Sequence, residues 1–355
     1  MRWTIFCRVI DNYGDAGVCW RLATDLAQRG EWVTLFIDEP DVLSGLIDAD
    51  APPSTVLVKP WPKNSQCFAA SKISDVVIEA FACDPPAAYI AAMAQRAEAH
   101  KAPVWINLEY LSAEEWVGSH HGLPSPNPRY PLIKHFYFPG FTPDSGGLLR
   151  EADAIQSPDE GEAGFELSQP LRLFLFGYEQ PALTAWIATL HHTVLSVAPC
   201  PAAKQVTANI ASKPSTLTLQ YVDFVPQAKF DDILKKHDLL FVRGEDSFVR
   251  AQWAGKPVFW QIYPQDDGAH LTKLRAFYKR YLDTGTLSET EHDVFLRFLL
   301  AWNGVGNPND CATLWPEIVQ MLPALQKNAL VWRAMLLKQP DLVTQLRAFV
   351  ANLVK

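Results

Sequence analysis

Asp11 and Asp15 lie close together in a short polar segment, DNYGDAG, that follows an apolar run near the start of the chain. A dinucleotide-binding turn would carry glycines at this point, because they let the backbone approach a pyrophosphate. Two carboxylates would instead repel a phosphate group. The segment is therefore interpreted either as a site that holds a cation or accepts a proton, or as an ordinary turn in which Asp15 caps a helix.

A second candidate site has the sequence FVRGEDSFVR, which is typical of a strand, a turn and the start of a helix. Asp246 or Ser247 could cap this helix, whose first N–H groups and positive dipole end would bind an anion such as pyrophosphate. Arg243 and Arg250 would offset the charge of Glu245 and Asp246. The alternative interpretation is a capped helix with surface salt bridges.

Three further predicted strands are followed by residues that could contact a ligand. Phe224 and Gln227 combine an aromatic face with an amide, which could stack on and hydrogen-bond a pyrimidine base. Phe176 and Tyr178 follow another strand; such aromatics are core residues by default, although Tyr178 lies beyond the strand. The segment YPQDDGAH follows the last strand and either caps the next helix or binds sugar hydroxyls.

All these segments depend on a repeated order of strand, helix and strand, which predicts parallel sheets with crossover helices. In the first half the predicted elements are Trp3–Ile10, Gly17–Arg29, Trp32–Ile37, Val76–Phe81, Pro86–Ala99 and Val104–Leu108. In the second half they are Leu171–Phe176, Pro181–His191, Leu217–Phe224, Lys229–His237, Leu239–Val242 and Val258–Ile262.

A stretch rich in Pro, Gly, Ser and acidic residues, 139–169, separates the two alternating patterns. We therefore predict two Rossmann-like domains, 1–160 and 161–355, whose strand ends face each other across a ligand-binding cleft. From Gly268 onward the periodicity predicts a helical C-terminus.

Composition excludes several classes of protein. The chain has 355 residues, 31 Lys plus Arg against 39 Asp plus Glu, and a formal charge of −8, so nucleic acid and anionic membranes are poor partners. Six scattered cysteines and the lack of a signal peptide before the first strand favour the cytoplasm. The adjacent histidines at 120–121 and 191–192 do not converge on one ion, so we expect no metal and no cofactor.

Three long segments carry a resemblance to a known family: IFCRVIDNYGDAGVCWRLA, FVRGEDSFVRAQWAGKP and YPQDDGAHLTKL. They resemble the EarP family of protein-arginine rhamnosyltransferases, which modify bacterial elongation factor P, and the likeness covers nearly the whole chain. It implies an α/β fold of GT-B type, with an N-terminal domain that binds the protein acceptor and a C-terminal domain that binds dTDP-β-L-rhamnose. The implied activity is an inverting transfer of L-rhamnose to one arginine side chain of elongation factor P, which activates it.

The resemblance also implies roles for single residues. Asp15 corresponds to the general base, with Asp11 beside it, and Glu245 to an essential acidic residue. Phe224 and Gln227 correspond to a thymine-binding pair, and Asp246 and Ser247 to diphosphate contacts. Phe176 and Tyr178 correspond to aromatic residues that line the donor pocket. The implied substrate-binding set is Asn12, Tyr13, Gly14, Gly17, Phe176, Tyr178, Phe224, Gln227, Arg243, Asp246, Ser247, Tyr263 and Gln265.

Two other functions are weighed against this one. A different GT-B nucleotide-sugar transferase that acts on a lipid would need a basic and apolar membrane face, which the first domain lacks in sequence. A non-catalytic protein that binds sugar nucleotides would keep Ser247 and Phe224 but would need neither Asp11 nor Asp15. The acidic pair therefore discriminates between these hypotheses.

Overall fold

The computed structural model describes residues 1–10, 13–48, 54–63, 67–99, 101–151 and 170–354. The chain divides into two compact units, the first formed by Met1–Ala152 with Gln339–Lys355 and the second by Asp153–Lys338. The predicted boundary at residue 160 lies outside the described residues. The predicted assignment of the C-terminal end to the second domain is wrong, because the last helix belongs to the first unit.

The strands are β1 Arg2–Cys7, β2 Trp32–Ile37, β3 Leu57–Pro60, β4 Val76–Ala80, β5 Val104–Leu108, β6 Pro124–Pro126, β7 Ile133–Tyr137, β8 Leu171–Leu175, β9 Thr193–Val197, β10 Leu217–Tyr221, β11 Leu239–Arg243 and β12 Val258–Gln261. The helices are α1 Tyr13–Gln28, α2 Leu43–Leu46, α3 Ala87–Ala99, α4 Val117–His120, α5 Leu183–Ile187, α6 Pro201–Ala208, α7 Gln227–Lys235, α8 Asp246–Ala254, α9 Ala269–Leu282, α10 Glu289–Trp302, α11 Asp310–Thr313, α12 Trp315–Gln320, α13 Leu322–Leu337 and α14 Leu342–Leu353. Single 3₁₀ turns lie at Pro40–Val42, Ala70–Lys72 and Ile210–Ser212.

The first unit contains a sheet of order β3-β2-β1-β4-β5-β7-β6, in which only β6 pairs antiparallel, with β7. Strands β4 and β5 are buried along their whole length, as expected for parallel strands covered on both faces. One face packs on α1 and α14, and the other on α3. The first five positions follow the Rossmann strand order, which confirms that prediction for this unit.

The second unit contains a parallel sheet of order β10-β9-β8-β11-β12, which is the same Rossmann order. Helices α9 to α13 follow its last strand, so the predicted helical C-terminus is confirmed. In each unit the carboxyl ends of the central strands lie at one edge of the sheet. That edge is where open parallel sheets bind ligands.

Helix α14 packs on the first unit through an apolar face. Leu342, Val343, Leu346 and Val350 are buried in the same cluster as the apolar side of α1. Two ion pairs add to this contact: Arg29 Nη2 to Asp341 Oδ1 at 2.8 Å, and Arg347 Nε to Glu31 Oε1 at 2.9 Å. These contacts explain why the chain returns to its first unit after α13.

Several predicted elements have different bounds in the structure. The strand predicted to run to Ile10 ends at Cys7, where its partner β2 also ends. Helix α1 begins at Tyr13, earlier than the predicted start at Gly17. The prediction used apolar periodicity, which does not detect the polar first turn of this helix. The helix predicted at Pro181–His191 forms only α5, since the chain turns at Leu190 and His192 has a φ of 50°.

Candidate functional site

Asp15 lies in the first turn of α1, at the carboxyl edge of the first sheet, and only 4% of it is exposed. Its Oδ2 accepts a hydrogen bond from the Ile10 N–H at 2.8 Å, and the Tyr110 hydroxyl lies 3.5 Å from Oδ1. The carboxylate is therefore contacted from the loop after β1 and from the loop after β5. We call these three residues the Asp15 site.

Tyr110 is a member of this site that the sequence did not indicate. Its ring stacks on Phe81, with centroids 4.3 Å apart, and Phe81 and Ala82 have left-handed φ values of 57° and 53°. The Asn107 side chain accepts a hydrogen bond from the Ala82 N–H at 3.0 Å and holds this turn. Left-handed backbone at non-glycine residues is costly and is found where the surrounding structure needs a special side-chain position.

The same segment contains four other predicted site residues before Gly17. Asp11 and Asn12 lie outside the described residues, so their roles stay predictions. Tyr13 and Gly14 are the first two residues of α1 and are half-buried, whereas Gly17 is buried in its second turn.

In the second unit, the turn between β11 and α8 brings charged groups to the carboxyl edge of the sheet. Gly244 has a φ of 67°, a conformation that favours glycine and lets the chain turn directly from the strand into the helix. Trp260 supports this turn, since its Nε1 donates to the Gly244 carbonyl at 2.8 Å and its ring stacks on Phe248 at 3.9 Å. The position of the α8 N-terminus is therefore set by the core of the unit.

Arg243 lies between two of the predicted aromatic residues. Its guanidinium carbon is 4.8 Å from the Phe176 ring centroid and 4.7 Å from that of Tyr178. Each contact is a cation–π interaction, and planar stacking suits arginine better than lysine. We call Arg243 with these two rings and the start of α8 the Arg243 site. It presents a positioned cation next to a helix N-terminus, which is a suitable arrangement for a phosphate.

The prediction that Asp246 or Ser247 caps α8 is wrong. Glu245 holds the N-cap position, and its side chain makes no capping hydrogen bond. Its φ of −91° and ψ of −47° are already helical, whereas a capping side chain needs an extended backbone to reach back to the first N–H groups. Ser247 is the second residue of α8 and is half-buried.

Asp246 is directed into the second unit. Its Oδ2 accepts a hydrogen bond from Gln227 Nε2 at 2.9 Å and lies 3.4 Å from Arg250 Nε, in agreement with the expectation that Arg250 offsets charge in this segment. Arg250 Nη1 also contacts both oxygens of Asp231, at 3.0 and 2.9 Å. Because the Asp246 carboxylate binds these groups, a diphosphate contact at this position has to come from the backbone N–H.

Gln261, at the end of β12, is a second residue that sequence reasoning missed. It stands in register with Arg243, and its Oε1 accepts a hydrogen bond from the Tyr178 N–H at 2.8 Å. A Cβ at Gly177 would lie 2.8 Å from the same oxygen, so a larger residue there would displace the Gln261 amide from this hydrogen bond. A polar residue at the end of a buried strand, beside Arg243, was the available signal.

The Gly177 N–H donates to Cys200 Sγ at 3.4 Å. Burial raises the pKa of the Cys200 thiol, and hydrogen bonds from neighbouring backbone oppose this effect. The thiol is therefore neutral at physiological pH and adds no negative charge beside the Arg243 site.

The remaining predicted residues are more exposed. Phe224 is 46% exposed in the loop between β10 and α7, three residues before the buried Gln227. Tyr263 is 48% exposed and contacts the Tyr178 ring edge to face, with centroids 5.8 Å apart. Gln265 is exposed, and its N–H donates to His270 Nδ1 at 3.1 Å.

Within the described ranges, no three His, Cys, Asp or Glu side chains come together in a way that could hold a metal ion. Metal independence stays a prediction. No helix among these residues combines the length and the apolar character that crossing a membrane requires.

Comparison with known proteins gives consistent likenesses. A family model described as Elongation-Factor P (EF-P) rhamnosyltransferase EarP matches residues 3–351. The chain is 40% identical to the protein-arginine rhamnosyltransferase of Pseudomonas putida KT2440, over 99% of this chain and 98% of that protein.

Two solved structures extend the comparison. One describes EarP-mediated arginine glycosylation of translation elongation factor EF-P; it is 29% identical, covers 99% of both chains and has a TM-score of 0.65. The other, a spinosyn rhamnosyltransferase complexed with spinosyn aglycone, is 12% identical over 98% of this chain and 99% of that chain, with a TM-score of 0.54, and shows the fold alone. Together with the two parallel sheets, these likenesses confirm the predicted GT-B fold.

Proposed function

Because this chain belongs to the Elongation-Factor P (EF-P) rhamnosyltransferase EarP family, it is a protein-arginine rhamnosyltransferase, and we propose that it transfers L-rhamnose from dTDP-β-L-rhamnose to an arginine side chain of EF-P. The transfer inverts the configuration at the anomeric carbon of rhamnose, and the modification activates EF-P. The support for EF-P as acceptor is the 29% identity, over 99% of both chains, to the structure that describes arginine glycosylation of EF-P. We keep the cytoplasm as the expected location, from the scattered cysteines.

The donor belongs to the second unit in this proposal. Its diphosphate lies at the start of α8, where the first N–H groups and the positive dipole end of the helix face it. The observation that supports this placement is the Arg243 guanidinium between Phe176 and Tyr178, at 4.8 and 4.7 Å. When the bond to the sugar breaks, the new negative charge on dTDP meets groups that are already oriented, which is an efficient form of electrostatic stabilisation.

The acceptor arginine belongs to the first unit, beside Asp15. A free guanidinium is a poor nucleophile, because its lone pairs are delocalised and its pKa is above about 12. Full deprotonation by an aspartate is unrealistic: ordinary pKa values near 13.8 and 3.9 differ by about ten units, or about 13 kcal/mol. Asp15 therefore orients the guanidinium and accepts the proton late, while the new bond forms. Asp11 helps to hold the cation and to localise its electrons.

In the transfer step, a guanidinium nitrogen forms a bond to the anomeric carbon of rhamnose. The bond from that carbon to the diphosphate oxygen breaks, and dTDP leaves with the bonding electron pair. Bond breaking leads, so the sugar has oxocarbenium character, as in glycoside hydrolysis. The nitrogen proton passes to the Asp15 carboxylate, whose Oδ2 accepts a hydrogen bond from the Ile10 N–H and whose Oδ1 lies 3.5 Å from the Tyr110 hydroxyl. Glu245, at the N-cap of α8, is proposed as a further essential acid on the donor side.

A non-catalytic sugar-nucleotide-binding protein would use the Arg243 site but not the Asp15 site. The transferase and the non-catalytic binding protein differ in whether dTDP-rhamnose is turned over. Chromatography of the nucleotides should show dTDP released from dTDP-rhamnose only when EF-P is present, and no release when the modified arginine of EF-P is replaced by lysine. Binding of dTDP-rhamnose without EF-P-dependent release would support the sensor instead.

A further inference from the structure

Gln261 holds the backbone at the point where β8 leads into the Arg243 site. The Tyr178 N–H donates to Gln261 Oε1 at 2.8 Å, and Gln261 is only 5% exposed. A backbone N–H can only donate, so the amide must present its oxygen to Tyr178. This bond joins the end of β12 to the loop after β8, two strands that lie on either side of β11.

The loop after β8 is also held at the residue before Tyr178. The Gly177 N–H donates to Cys200 Sγ at 3.4 Å, and the Gly177 carbonyl accepts a hydrogen bond from the Ala202 N–H at 3.1 Å. Because position 177 has no side chain, the Gln261 amide lies directly against this backbone. The loop is therefore fixed by contacts within the second unit.

The Tyr178 ring depends on this backbone position. It lies 4.7 Å from the Arg243 guanidinium carbon, and its centroid is 5.8 Å from that of Tyr263. Gln261 and Arg243 stand in register on neighbouring parallel strands, so their side chains project from the same face of the sheet. One of these side chains provides the cation, and the other holds the residue whose ring covers that cation.

We infer that Gln261 is a positioning residue for the nucleotide-sugar donor, because it holds Tyr178 so that its ring and the Arg243 guanidinium are in place before the diphosphate binds. This inference rests on the proposed function, which places the donor in the second unit. Groups that are ordered in advance lose less entropy on binding, so the ligand binds more tightly. Loss of the hydrogen bond should therefore weaken donor binding and leave acceptor binding unchanged.

The test measures dTDP affinity by calorimetry and the KM values for dTDP-rhamnose and EF-P by steady-state kinetics. Gln261→Ala removes the acceptor for the Tyr178 N–H. We expect dTDP to bind about 5-fold more weakly, which corresponds to one lost hydrogen bond. The KM for dTDP-rhamnose should rise by a similar factor, and the KM for EF-P should stay at the parent value.

Gln326→Ala is the matched control for a general loss of stability. Gln326 lies in the same unit, is also 5% exposed, and donates through Nε2 to the Gly255 carbonyl at 2.8 Å. The same substitution there removes a buried hydrogen bond away from the Arg243 site. It should destabilise the protein to a similar extent and leave dTDP affinity at the parent value.

Gly177→Ala breaks the same hydrogen bond from the other side. The new Cβ would lie 2.8 Å from Gln261 Oε1, whereas its next contacts, at 3.5 Å and 3.7 Å, are ordinary ones, so the amide has to move. This variant should weaken dTDP binding as Gln261→Ala does. Combining the two should weaken binding no further, because the shortened side chain at 261 leaves room for the methyl group.

A Tyr178→Ala protein tests whether the effect passes through the ring. Without the ring there is nothing for Gln261 to position, so adding Gln261→Ala should not weaken dTDP binding further. A full additional loss in this background would contradict the inference.

Unchanged dTDP affinity in Gln261→Ala would also contradict it, and so would an equal loss in Gln326→Ala. If the losses from Gly177→Ala and Gln261→Ala multiplied in the double variant, the shared hydrogen bond would not be their cause. If the parent bound no dTDP, the proposed donor itself would be wrong, whichever result the variants gave.

Discussion

Asp15 is positioned by contacts within its own unit, through the Ile10 N–H and the Tyr110 hydroxyl. Replacing it with asparagine keeps its shape and removes the proton acceptor. We expect kcat of Asp15→Asn to fall by about 10²–10⁴, the usual range for a lost general base. Donor affinity should stay near that of the parent, since the proposed donor site is in the other unit. Steady-state kinetics and calorimetry with dTDP-rhamnose measure the two effects separately.

Asp25→Asn is the matched control for this variant. Asp25 lies on the same helix but pairs with Arg29 at 2.7 Å, so its loss should affect stability and leave kcat nearly unchanged. Near-normal kcat in Asp15→Asn would exclude Asp15 as the base.

Asp11→Asn should raise the KM for EF-P more than it lowers kcat, because the proposed task of Asp11 is to hold the guanidinium.

Arg243 depends on a planar guanidinium, because it lies between two rings and provides charge for a diphosphate. A lysine keeps the charge but loses the stacking and the fork of donors. We expect Arg243→Lys to weaken dTDP binding by about 1–2 kcal/mol, or roughly 10-fold, as measured by calorimetry. Arg172→Lys, on an exposed position of β8, is the control. Equal affinities for all three proteins would contradict the role of Arg243.

The sequence predicts part of each site and misses the rest for a physical reason. Asp15 and Arg243 could be found because each lies in the polar segment between a predicted apolar strand and the helix that follows it. Tyr110 and Gln261 could not be assigned with the same logic alone, since their roles depend on contacts with Asp15 and with the Tyr178 N–H across neighbouring strands. Such contacts are set by the register of the sheet.

Among the elements, β2 and β5 have the bounds predicted from sequence, because each is apolar except for one residue, Thr34 or Asn107, and lies between polar turns. Four strands were missed, namely β3, β6, β7 and β9. Strand β9 contains Thr193 and Ser196 although it is internal to its sheet. Strand β7 carries Lys134, whose Nζ pairs with the fully buried Glu79 of β4 at 2.5 Å. Polar residues whose partners are provided only by the folded sheet interrupt the apolar pattern, so that pattern does not predict these strands.

The attachment of α14 to the first unit can be tested at Asp341, the N-cap of that helix. Burial opposes ionisation of Asp341, but the hydrogen bonds from Thr344 and the Arg29 guanidinium outweigh it and lower its pKa below the ordinary value. Asparagine is an equally good N-cap, so Asp341→Asn isolates the charge. We expect a loss of about 1 kcal/mol in the free energy of unfolding at about pH 7, measured with urea.

The pH dependence has a definite sign. A carboxyl whose pKa is lowered by folding stabilises the protein above its unfolded pKa, and this contribution disappears as the pH falls through the folded pKa. The difference between parent and Asp341→Asn should therefore shrink below about pH 4. Asp293→Asn, on an exposed pair with Arg297, should match the parent at both pH values. A difference that did not change with pH would exclude the ion pair as its cause.

At the scale of the whole molecule, two units with the same Rossmann strand order divide the work in our proposal between acceptor and donor. Length and the repeated order of strand, helix and strand predict the two units, and the net charge of −8 makes nucleic acid a poor expected partner. The return of α14 depends on packing that no local pattern reveals.

Transfer should not need a divalent metal, because Arg243 and the α8 N-terminus meet the leaving diphosphate. We expect the rate of dTDP release with EF-P to be the same with and without EDTA. Loss of activity in EDTA that Mg²⁺ restores would show that a metal stabilises the leaving group.

The most direct measurement for the central claim is the intact mass of EF-P after incubation with this protein and dTDP-rhamnose. We predict the addition of one deoxyhexose, which fragmentation places on an arginine. The same incubation with Asp15→Asn should yield little modified EF-P within the time that the parent needs for completion. Unmodified EF-P with the parent protein, or a sugar on another type of side chain, would contradict the account.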